Sequence, residues 1–487
     1  MTIFDFRLVG RAVITIFNTK RAIQVSFVAL AAAMLPANSG AQNAAPENLL
    51  PQTPEIQQEA IEVAPDAVVS DPVVQAIDAM AEPDLSPVQN WDIDHARALA
   101  AIIEGIGADG LNPADYNLAG LRAAISTAIS VGAPDADTPN ANLNAVASKS
   151  FAFLVEDLRD GRTPMDGRKQ WFVLDPDVDR YPTETLMSDA LASGDMAGVL
   201  ARIMPEHPDY FRMKLELAKS QAGTKRYKLI QANMDRWRWL PRDLGSQYLM
   251  TNVPEYQLRL TVNDKIIRTY RTVVGKPGRT ATPQLAESVE GVIFNPTWTV
   301  PQSIVKGEGL GARVLNNPAW ARRAGYTATR GANGWVSVVQ QPGPTNSLGL
   351  MKLDMPNRHA IFFHDTPSRH LFKNARRALS HGCIRTENAT TLAITLAILQ
   401  GGLTADEGVE KLKSGKYTKV PFNNTIPAYI TYFTMAQDIN GDLTTFEDIY
   451  GRDAAVLSSF QEARVPNRSR VTGEQIIPIE NDPRDIV

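Results

Sequence analysis

The chain contains very little cysteine: Cys383 is the only one in 487 residues. One cysteine cannot form an internal disulfide, so the folded state must depend on its apolar core and the thiol is left free. A charge excess is also absent, and a formal net charge of −4 gives no electrostatic indication of nucleic-acid binding. Hydrophobic residues make up 44% and charged residues 21%, as in an ordinary globular protein, and the length allows two or three domains.

Long apolar runs are scarce as well, apart from Ala22 to Pro36 near the start. Four basic residues precede this run, and Ser39-Gly40-Ala41 follows it. The pattern predicts a secretory signal peptide at residues 1–41 and therefore a periplasmic protein. The run is about 14 residues long, short of the ~20 that a spanning helix needs. An uncleaved signal that tethers the protein to the inner membrane is the alternative.

Proline, alanine and acidic residues dominate residues 42–88, which predicts a flexible acidic linker with a short helix at 55–62. Helical apolar spacing then dominates residues 89–224, which we interpret as a helical domain without evident chemistry; the family resemblance described below implies that it is a scaffold domain. Its strongest patterns cover 94–106, 118–129 and 147–158. His95 and His207 in this region are interpreted as surface or capping residues rather than metal ligands.

From about residue 225 the period changes to that of strands, which predicts a β-rich catalytic domain at 225–460 and a C-terminal tail at 461–487. The fold class is therefore α+β. Predicted strands cover 248–253, 256–262, 266–274, 289–294, 335–340 and 428–436. Asn263-Asp264 predicts a hairpin between the second and third of these. Asn440-Gly441 favours another hairpin over a calcium loop, because its glycine stands at the fourth loop position where the sixth is needed.

A long glycine-rich segment within this domain, at about 302–345, predicts a lid or capping subdomain over the active site. Lys306, Trp320 and Tyr326 are its candidate contacts. Trp298 and Asn295, just before it, are interpreted as packing residues.

The chemistry is predicted at Cys383, which lies in Ser380-His381-Gly382-Cys383-Ile384-Arg385 and has His364 upstream. The thiolate is the nucleophilic form of cysteine, and a nearby imidazole allows it to form below the free thiol pKa of about 8.5. We expect a helix over 387–399, capped by Thr386 or Asn388, whose dipole also stabilises a thiolate. We expect residues 359–364 to form a strand, with His364 and His359 on opposite faces.

No cofactor or metal site is predicted, because the nearby histidines and the cysteine lack the compact pairs that zinc sites prefer. The residues weighed for such a site are His359, His364, His370, His381 and Cys383.

These residues resemble the YkuD-type L,D-transpeptidases, which cross-link bacterial peptidoglycan through a cysteine. The resemblance depends on His364 followed 19 positions later by Cys383 in Ser-His-Gly-Cys-x-Arg, on Val273-Val274-Gly275-Lys276 with Thr282-Pro283, and on 295–301. Residues 233–241, 343–349 and 364–367 further resemble the long Gram-negative subgroup. That subgroup often has a peptidoglycan-binding module between scaffold and catalytic domain, and residues 210–233 leave no room for one.

The resemblance implies roles for individual residues. Cys383 is then the nucleophile, His364 the base, and the Cys383 N–H with its Gly382 neighbourhood the oxyanion hole. Arg385 either binds a stem carboxylate or caps surface carbonyls, and His381 either lines the pocket or is structural. A backbone carbonyl usually orients the histidine in the family, and Asp365 is expected to shape the turn instead.

The implied reaction is formation of 3→3 cross-links between diaminopimelate residues, from a tetrapeptide donor and a diaminopimelate acceptor, through a thioester. Alternatives are an L,D-carboxypeptidase or endopeptidase, attachment of a lipoprotein to peptidoglycan, or a non-enzymatic wall-binding protein. The implied partners are peptidoglycan stem peptides and carboxypeptidases or cell-wall synthesis proteins, with no nucleic acid. Carbapenems are the expected inhibitors.

Overall fold

The computed structural model describes residues 88–130 and 140–475, apart from residues 174, 264, 333 and 467. The predicted signal peptide, the linker with its 55–62 helix, and residues 476–487 of the predicted tail lie outside the described residues. The observed order is a helical region followed by a β-rich region, which confirms the α+β prediction. No helix in the described ranges is long and apolar enough to cross a membrane.

The helical region begins with three helices near the predicted positions, and its apolar faces form one buried core around Leu99, Phe151 and Leu154. Side chains cap several of these helices; Asn140, for example, accepts a hydrogen bond from the Leu143 N–H at 3.0 Å. The α-helices are α1 Ile93–Gly105, α2 Leu118–Ser130, α3 Ala141–Asp160, α4 Asp177–Arg180, α5 Thr183–Ser193, α6 Met196–Ala201, α7 Pro208–Leu217 and α8 Lys225–Arg238. Only a short turn separates α7 from α8, so no additional module lies there.

Eight strands of the catalytic region close into a barrel. The sheet order β10-β3-β11-β9-β8-β4-β12-β1-β2 is closed by pairing of β2 with β3. The strands are β1 Gln247–Asn252, β2 Gln257–Val262, β3 Lys265–Gly275, β4 Leu285–Phe294, β8 Met351–Asp354, β9 Phe363–His364, β10 Ala378–Ser380, β11 Ile384–Thr386 and β12 Thr418–Thr431. The inner face and the helix Ala389–Gly401 share one apolar core. Closure removes exposed sheet edges, so the active-site strands rest on a rigid support.

Two β-hairpins form at the turn residues of the sequence. The β2–β3 pair is antiparallel, and Asn263 at its turn has φ +48°. The strands Met435–Gln437 and Leu443–Thr445 pair across Asn440-Gly441, with Gly441 at φ +85°. The Asp438 carboxylate there accepts hydrogen bonds from the Asn440 and Asp442 N–H groups. Both predicted hairpins are confirmed, and Asp438 serves the turn.

The predicted capping subdomain forms a separate small layer. Its strands Trp298–Thr299, Val336–Gln340 and Tyr326–Arg330 pair in that order, and the helices Gln302–Val305, Leu310–Asn316 and Pro318–Arg323 pack against them. Five buried residues form its core: Val300, Val305, Val314, Ala321 and Val338. The subdomain therefore folds around its own apolar cluster.

Two strand predictions were wrong. The final barrel strand, β12, begins at Thr418 rather than at 428, because Pro421, Asn423, Asn424 and Pro427 hide its period. The structure accommodates them with a register shift between Pro421 and Ile426. Residues 359–362 are a loop rather than a strand, with Ala360 at φ +42°.

Candidate active site

His364 is the central buried group of the site. It is 5% exposed, and its Nδ1 lies 2.5 Å from the Asp365 carbonyl oxygen. A carbonyl can only accept, so Nδ1 carries the proton and Nε2 is left as the acceptor. Burial, assisted by the positive charges of Arg385 and Lys352, lowers the pKa of His364 to about 3. The imidazole is thus neutral at pH 7 and suited to accept a proton.

The Asp365 side chain stabilises the turn, as predicted, and does not orient the imidazole. Its carboxylate accepts the Leu350 N–H at 2.9 Å and pairs with Arg369 at 2.9 Å. Because this carboxylate is occupied, the His364 ring is positioned by the backbone carbonyl of Asp365 and by the edge contact with the Phe362 ring.

Cys383 lies in the short turn that connects β10 to β11. The Ser380 hydroxyl spans this turn, donating to the Cys383 carbonyl at 2.6 Å and accepting from the Gly382 N–H at 3.1 Å. Gly382 has φ +120°, a conformation that a side chain would strain. Thr282 Oγ1 donates to the Gly382 carbonyl at 2.7 Å. The turn is therefore held from both sides, and the nucleophile has a defined position.

These contacts also decide which backbone donor is free. The Gly382 N–H is engaged by Ser380, whereas the Cys383 N–H has no hydrogen bond to another described residue and interacts only with its own sulfur. The Cys383 N–H is thus the better oxyanion donor of the two.

The thiol donates to the Ala360 carbonyl at a Sγ–O distance of 3.5 Å. The Asn357 side chain builds the loop that presents this carbonyl, donating to the Met355 and Ile361 carbonyls and accepting the His359 and Ile361 N–H groups. Sequence reasoning missed this role of Asn357, for which the only local signal was the polar break before an apolar run.

The expectation of a thiolate stabilised by a helix dipole was wrong. Strand β11 separates Cys383 from the helix Ala389–Gly401, and Asn388 stands at its N-cap without a side-chain cap hydrogen bond. Burial raises the pKa of the Cys383 thiol, although the Phe362 main chain and the charges of Lys352 and Arg385 act in the opposite direction. The resting state therefore combines a neutral thiol with a neutral imidazole.

The barrel places His364 on β9 and Cys383 directly before the start of the neighbouring strand β11. Ile384 and Arg385 are in parallel register with Phe363 and His364, so Cys383 immediately precedes the residue beside Phe363. No hydrogen bond between Cys383 and His364 is seen among the described residues. Catalytic hydrogen bonds in substrate-free enzymes are often long, so this geometry agrees with a thiol that turns toward Nε2 during attack.

Arg385 faces the site rather than capping surface carbonyls, because it is in register with His364 and interacts electrostatically with Cys383. Lys352 on β8 is the Cα partner of His364 on the other side. Sequence reasoning missed Lys352, because only strand pairing brings it near His364 and Cys383, which follow it by 12 and 31 positions in the chain.

The other candidates lie around this centre or apart from it. His381, half exposed, contacts Glu308 of the capping subdomain at 3.2 Å. Lys306 lies over Trp335, and Trp320 stacks on Tyr326, both within the subdomain. The Asn295 amide donates to carbonyls at 411, 412 and 416, which confirms its packing role.

Three of the four remaining histidines have structural contacts, and the fourth, His370, is exposed. His359 packs on Phe172 with ring centroids 4.3 Å apart. His95 bonds the Asp92 carboxylate, and His207 caps α7 by accepting the Asp209 N–H, as predicted for both. Among the described residues, no three His, Cys, Asp or Glu side chains form a group that could hold a metal ion.

The closed β-barrel holds a buried neutral histidine on one strand and a cysteine in the turn before the neighbouring strand, and a helical domain precedes it. This arrangement defines a cysteine–histidine type of site. Comparison with protein families finds a match for each of the two regions. Residues 246–404 match the L,D-transpeptidase catalytic domain called YkuD, and residues 89–217 match a scaffold domain. The chain therefore carries a YkuD L,D-transpeptidase catalytic domain and a scaffold domain.

A Haemophilus influenzae protein provisionally named an L,D-transpeptidase is 30% identical over 223 residues, which is 43% of this chain and 45% of that protein. The chain thus spans less than half the length of that relative.

Solved L,D-transpeptidases were also found. One from Mycobacterium smegmatis (11% identity, 38% of this chain, 58% of the other, TM-score 0.20) and one from Mycobacterium tuberculosis (11%, 38%, 61%, TM-score 0.18) are examples. TM-scores this low support no conclusion about this chain.

Proposed function

We propose that the protein is a peptidoglycan L,D-transpeptidase that forms 3→3 cross-links between diaminopimelate residues. The main support is the pairing of the single cysteine with a buried imidazole whose free Nε2 can accept a proton, within a YkuD domain. The helical scaffold domain and the capping subdomain agree with the long Gram-negative subgroup that the sequence resembles.

The donor half-reaction begins with attack by the Cys383 sulfur on the carbonyl carbon of diaminopimelate in a tetrapeptide. The thiol proton moves to His364 Nε2 as the C–S bond forms, and the Cys383 N–H stabilises the oxyanion. The C–N bond to the terminal D-alanine then breaks, and the imidazolium returns its proton to the leaving amine. D-alanine departs and a thioester remains on Cys383.

In the acceptor half-reaction the side-chain amine of a second diaminopimelate attacks the thioester. His364 accepts a proton from this amine, the new C–N bond forms, and the C–S bond breaks. The sulfur recovers the proton from the imidazolium, which regenerates the neutral pair of the resting state.

Hydrolysis is the second candidate function, because water in place of the amine would make the enzyme an L,D-carboxypeptidase. The capping subdomain favours cross-linking, since its Glu308 reaches His381 beside the nucleophile and a cover of this kind limits the access of water. Attachment of a lipoprotein to the wall uses the same thioester with a different amine.

The proposed reaction takes place in the periplasm, where the signal-like N-terminus would deliver the protein. The resemblance further predicts that a carbapenem acylates Cys383 more readily than a penicillin does. An intact-mass spectrum of the reduced, folded protein without the carbapenem adduct would count against the assignment.

The deciding experiment incubates purified protein with disaccharide-tetrapeptides and analyses the products by chromatography and mass spectrometry, with Cys383→Ala as the control. Cysteine-dependent tetra-tri dimers linked 3→3 are expected. Tripeptides alone would make the protein a carboxypeptidase under those conditions, and full activity of a folded Cys383→Ala variant would exclude both enzymes.

A further inference from the structure

Three polar side chains form a row across three adjacent strands of the barrel. His364 on β9 is the register partner of Lys352 on β8 and of Arg385 on β11. Side chains directly opposite one another share a face of the sheet. The residues next to them, Leu353, Phe363 and Ile384, are fully buried in the barrel core. The row therefore projects from the other face, with the imidazole between two cations.

Neither cation of this row forms an ion pair at short range, although the Asp354 carboxylate, which pairs with Lys419 at 2.6 Å, acts on Lys352 from further away. In the described part of the chain, no carboxylate lies within ion-pair distance of Lys352 or Arg385, and neither side chain donates a hydrogen bond to one. Both are only partly accessible to solvent. The Lys352 ammonium lies 3.8 Å from the centroid of the Phe362 ring, a contact that positions the charge without neutralising it. Two cations on either side of one imidazole, partly desolvated and without an ion-pair partner among the described residues, raise the free energy of the substrate-free protein.

We propose that Lys352 and Arg385 together bind a carboxylate of the donor peptide beside the Cys383 thiol. This inference depends on the proposed function for the identity of the donor. A tetrapeptide stem offers two such groups near the scissile bond: the side-chain carboxylate of diaminopimelate and the C-terminal carboxylate of D-alanine. Both present the planar oxygen pair that a guanidinium and an ammonium recognise.

The electrostatics of the thiol agree with this placement. Lys352 and Arg385 both act to lower the pKa of Cys383, so both charges reach the reacting sulfur. A carboxylate held between them would lie over His364 and within reach of the nucleophile. Such a contact fixes which end of the peptide enters the site and so contributes to the choice of donor.

A test independent of peptidoglycan uses two small alkylating reagents of nearly equal shape. Iodoacetate carries a carboxylate and iodoacetamide a neutral amide, and Cys383 is the only cysteine that either can modify. The ratio of the two alkylation rates cancels the thiolate fraction, which is common to both. We expect Lys352→Met and Arg385→Gln each to lower the iodoacetate-to-iodoacetamide ratio about tenfold, the size of one charge-assisted contact.

The matched controls are Lys352→Arg, which keeps the charge, and Lys265→Met, which removes an exposed lysine at the far end of β3. We expect the first to retain most of the ratio and the second to leave it unchanged. Circular dichroism would establish that each variant is folded. Equal ratios in the wild type, Lys352→Met and Arg385→Gln would overturn the proposal, as would an equal fall in Lys265→Met.

Donor peptides then identify the carboxylate. The wild type and Lys352→Met are compared on three donors: an ordinary tetrapeptide, one amidated on the diaminopimelate side chain, and one ending in D-alaninamide. Release of D-alanine is measured for the first two donors and release of D-alaninamide for the third. The carboxylate whose removal abolishes the effect of Lys352→Met is the one bound. Retention of the effect with both modified donors would overturn the proposal. If no donor reacts with the wild type, the peptidoglycan function fails, whereas the alkylation ratio still decides whether the cation pair binds a carboxylate.

Discussion

Partly or fully desolvated cations at two sites of the molecule differ in their partners. At the junction between α3 and the C-terminal segment, Arg464 and Arg468 are nearly inaccessible and both pair with Glu156 and Asp157. On the catalytic face, Lys352 and Arg385 have no such carboxylate among the described residues. Paired charges at the junction connect the tail to the scaffold domain, whereas the unpaired charges at the site are available to a ligand. The partner of a buried charge therefore distinguishes a structural role from a binding one.

The largest expected effect comes from removing the base between the two site cations. His364→Gln should lower the rate of acyl transfer by about 10²–10⁴-fold, the usual contribution of a general base. Product formation from tetrapeptides measures this loss. The paired region should be unaffected, so thermal unfolding close to that of the wild type is expected, and a gross loss of folding would show that His364 is mainly structural.

Weakening the ion pairs of Arg464 and Arg468 should have the opposite effect, lowering stability without changing the reactivity of Cys383. Asp157→Asn removes one of the two carboxylate charges that Arg464 and Arg468 share, and it weakens the hydrogen bond from the Tyr116 hydroxyl. Because Glu156 still pairs with both arginines, we expect the free energy of unfolding to fall by about 1–3 kcal/mol, the usual cost of weakening buried hydrogen bonds. Urea unfolding measures this change. Alkylation of Cys383 by iodoacetamide should stay as in the wild type, and a parallel loss would mean that the two regions are coupled.

The pH dependence of stability tests the burial of His364 on the catalytic face. Burial lowers the folded-state pKa of His364 to about 3, below the value of about 6.5 in an unfolded chain. Between these values the unfolded chain binds more protons, so the contribution of His364 to stability is present above pH 6.5 and is lost as the pH falls.

Unfolding of the wild type and His364→Gln between pH 7 and 4 tests this linkage. Their difference in unfolding free energy should change by up to about 1.4 kcal/mol per pH unit. Burial also lowers the pKa values of His207 and His359 to about 4. Both residues are present in the two proteins, so their contributions cancel in the difference. A difference that does not vary with pH would indicate an ordinary imidazole.

Removing one unpaired cation should cost no stability. Lys352→Met deletes a partly buried charge without a carboxylate partner and keeps an apolar stem against Phe362. We expect the free energy of unfolding to stay constant or to rise by about 1 kcal/mol. The same urea titration applies. A loss comparable to that of Asp157→Asn would show that Lys352 has a structural partner and would weaken the contrast between the regions.

The smallest effect is expected at the capping contact. Glu308 and His381 are both about half exposed, and exposed ion pairs contribute little. Glu308→Gln should leave thermal unfolding unchanged. If the contact limits the access of water, the ratio of tripeptide to cross-linked dimer should rise in the product analysis, and an unchanged ratio would assign that role to other residues of the subdomain.

Local sequence determined much of this protein. Apolar periodicity predicted the helices α1 to α3 and the strands β1 to β4, since one face of each element has to be buried, whereas it missed the short strands β8, β10 and β11. Turn residues predicted the hairpins at Asn263 and Asn440. The spacing of His364 and Cys383 indicated the catalytic domain, because their motif is local and specific.

Tertiary structure alone decided the rest. Strand β12 was shortened in the prediction because Pro421 and its neighbours hide a period that only pairing with β4 and β1 restores. The protonation of the thiol depends on burial, which no local pattern reports. Lys352 meets His364 only because two distant strands pair in one register. Sequence specifies elements whose signals are local, whereas charge, burial and the pairing of remote residues exist only once the barrel has closed.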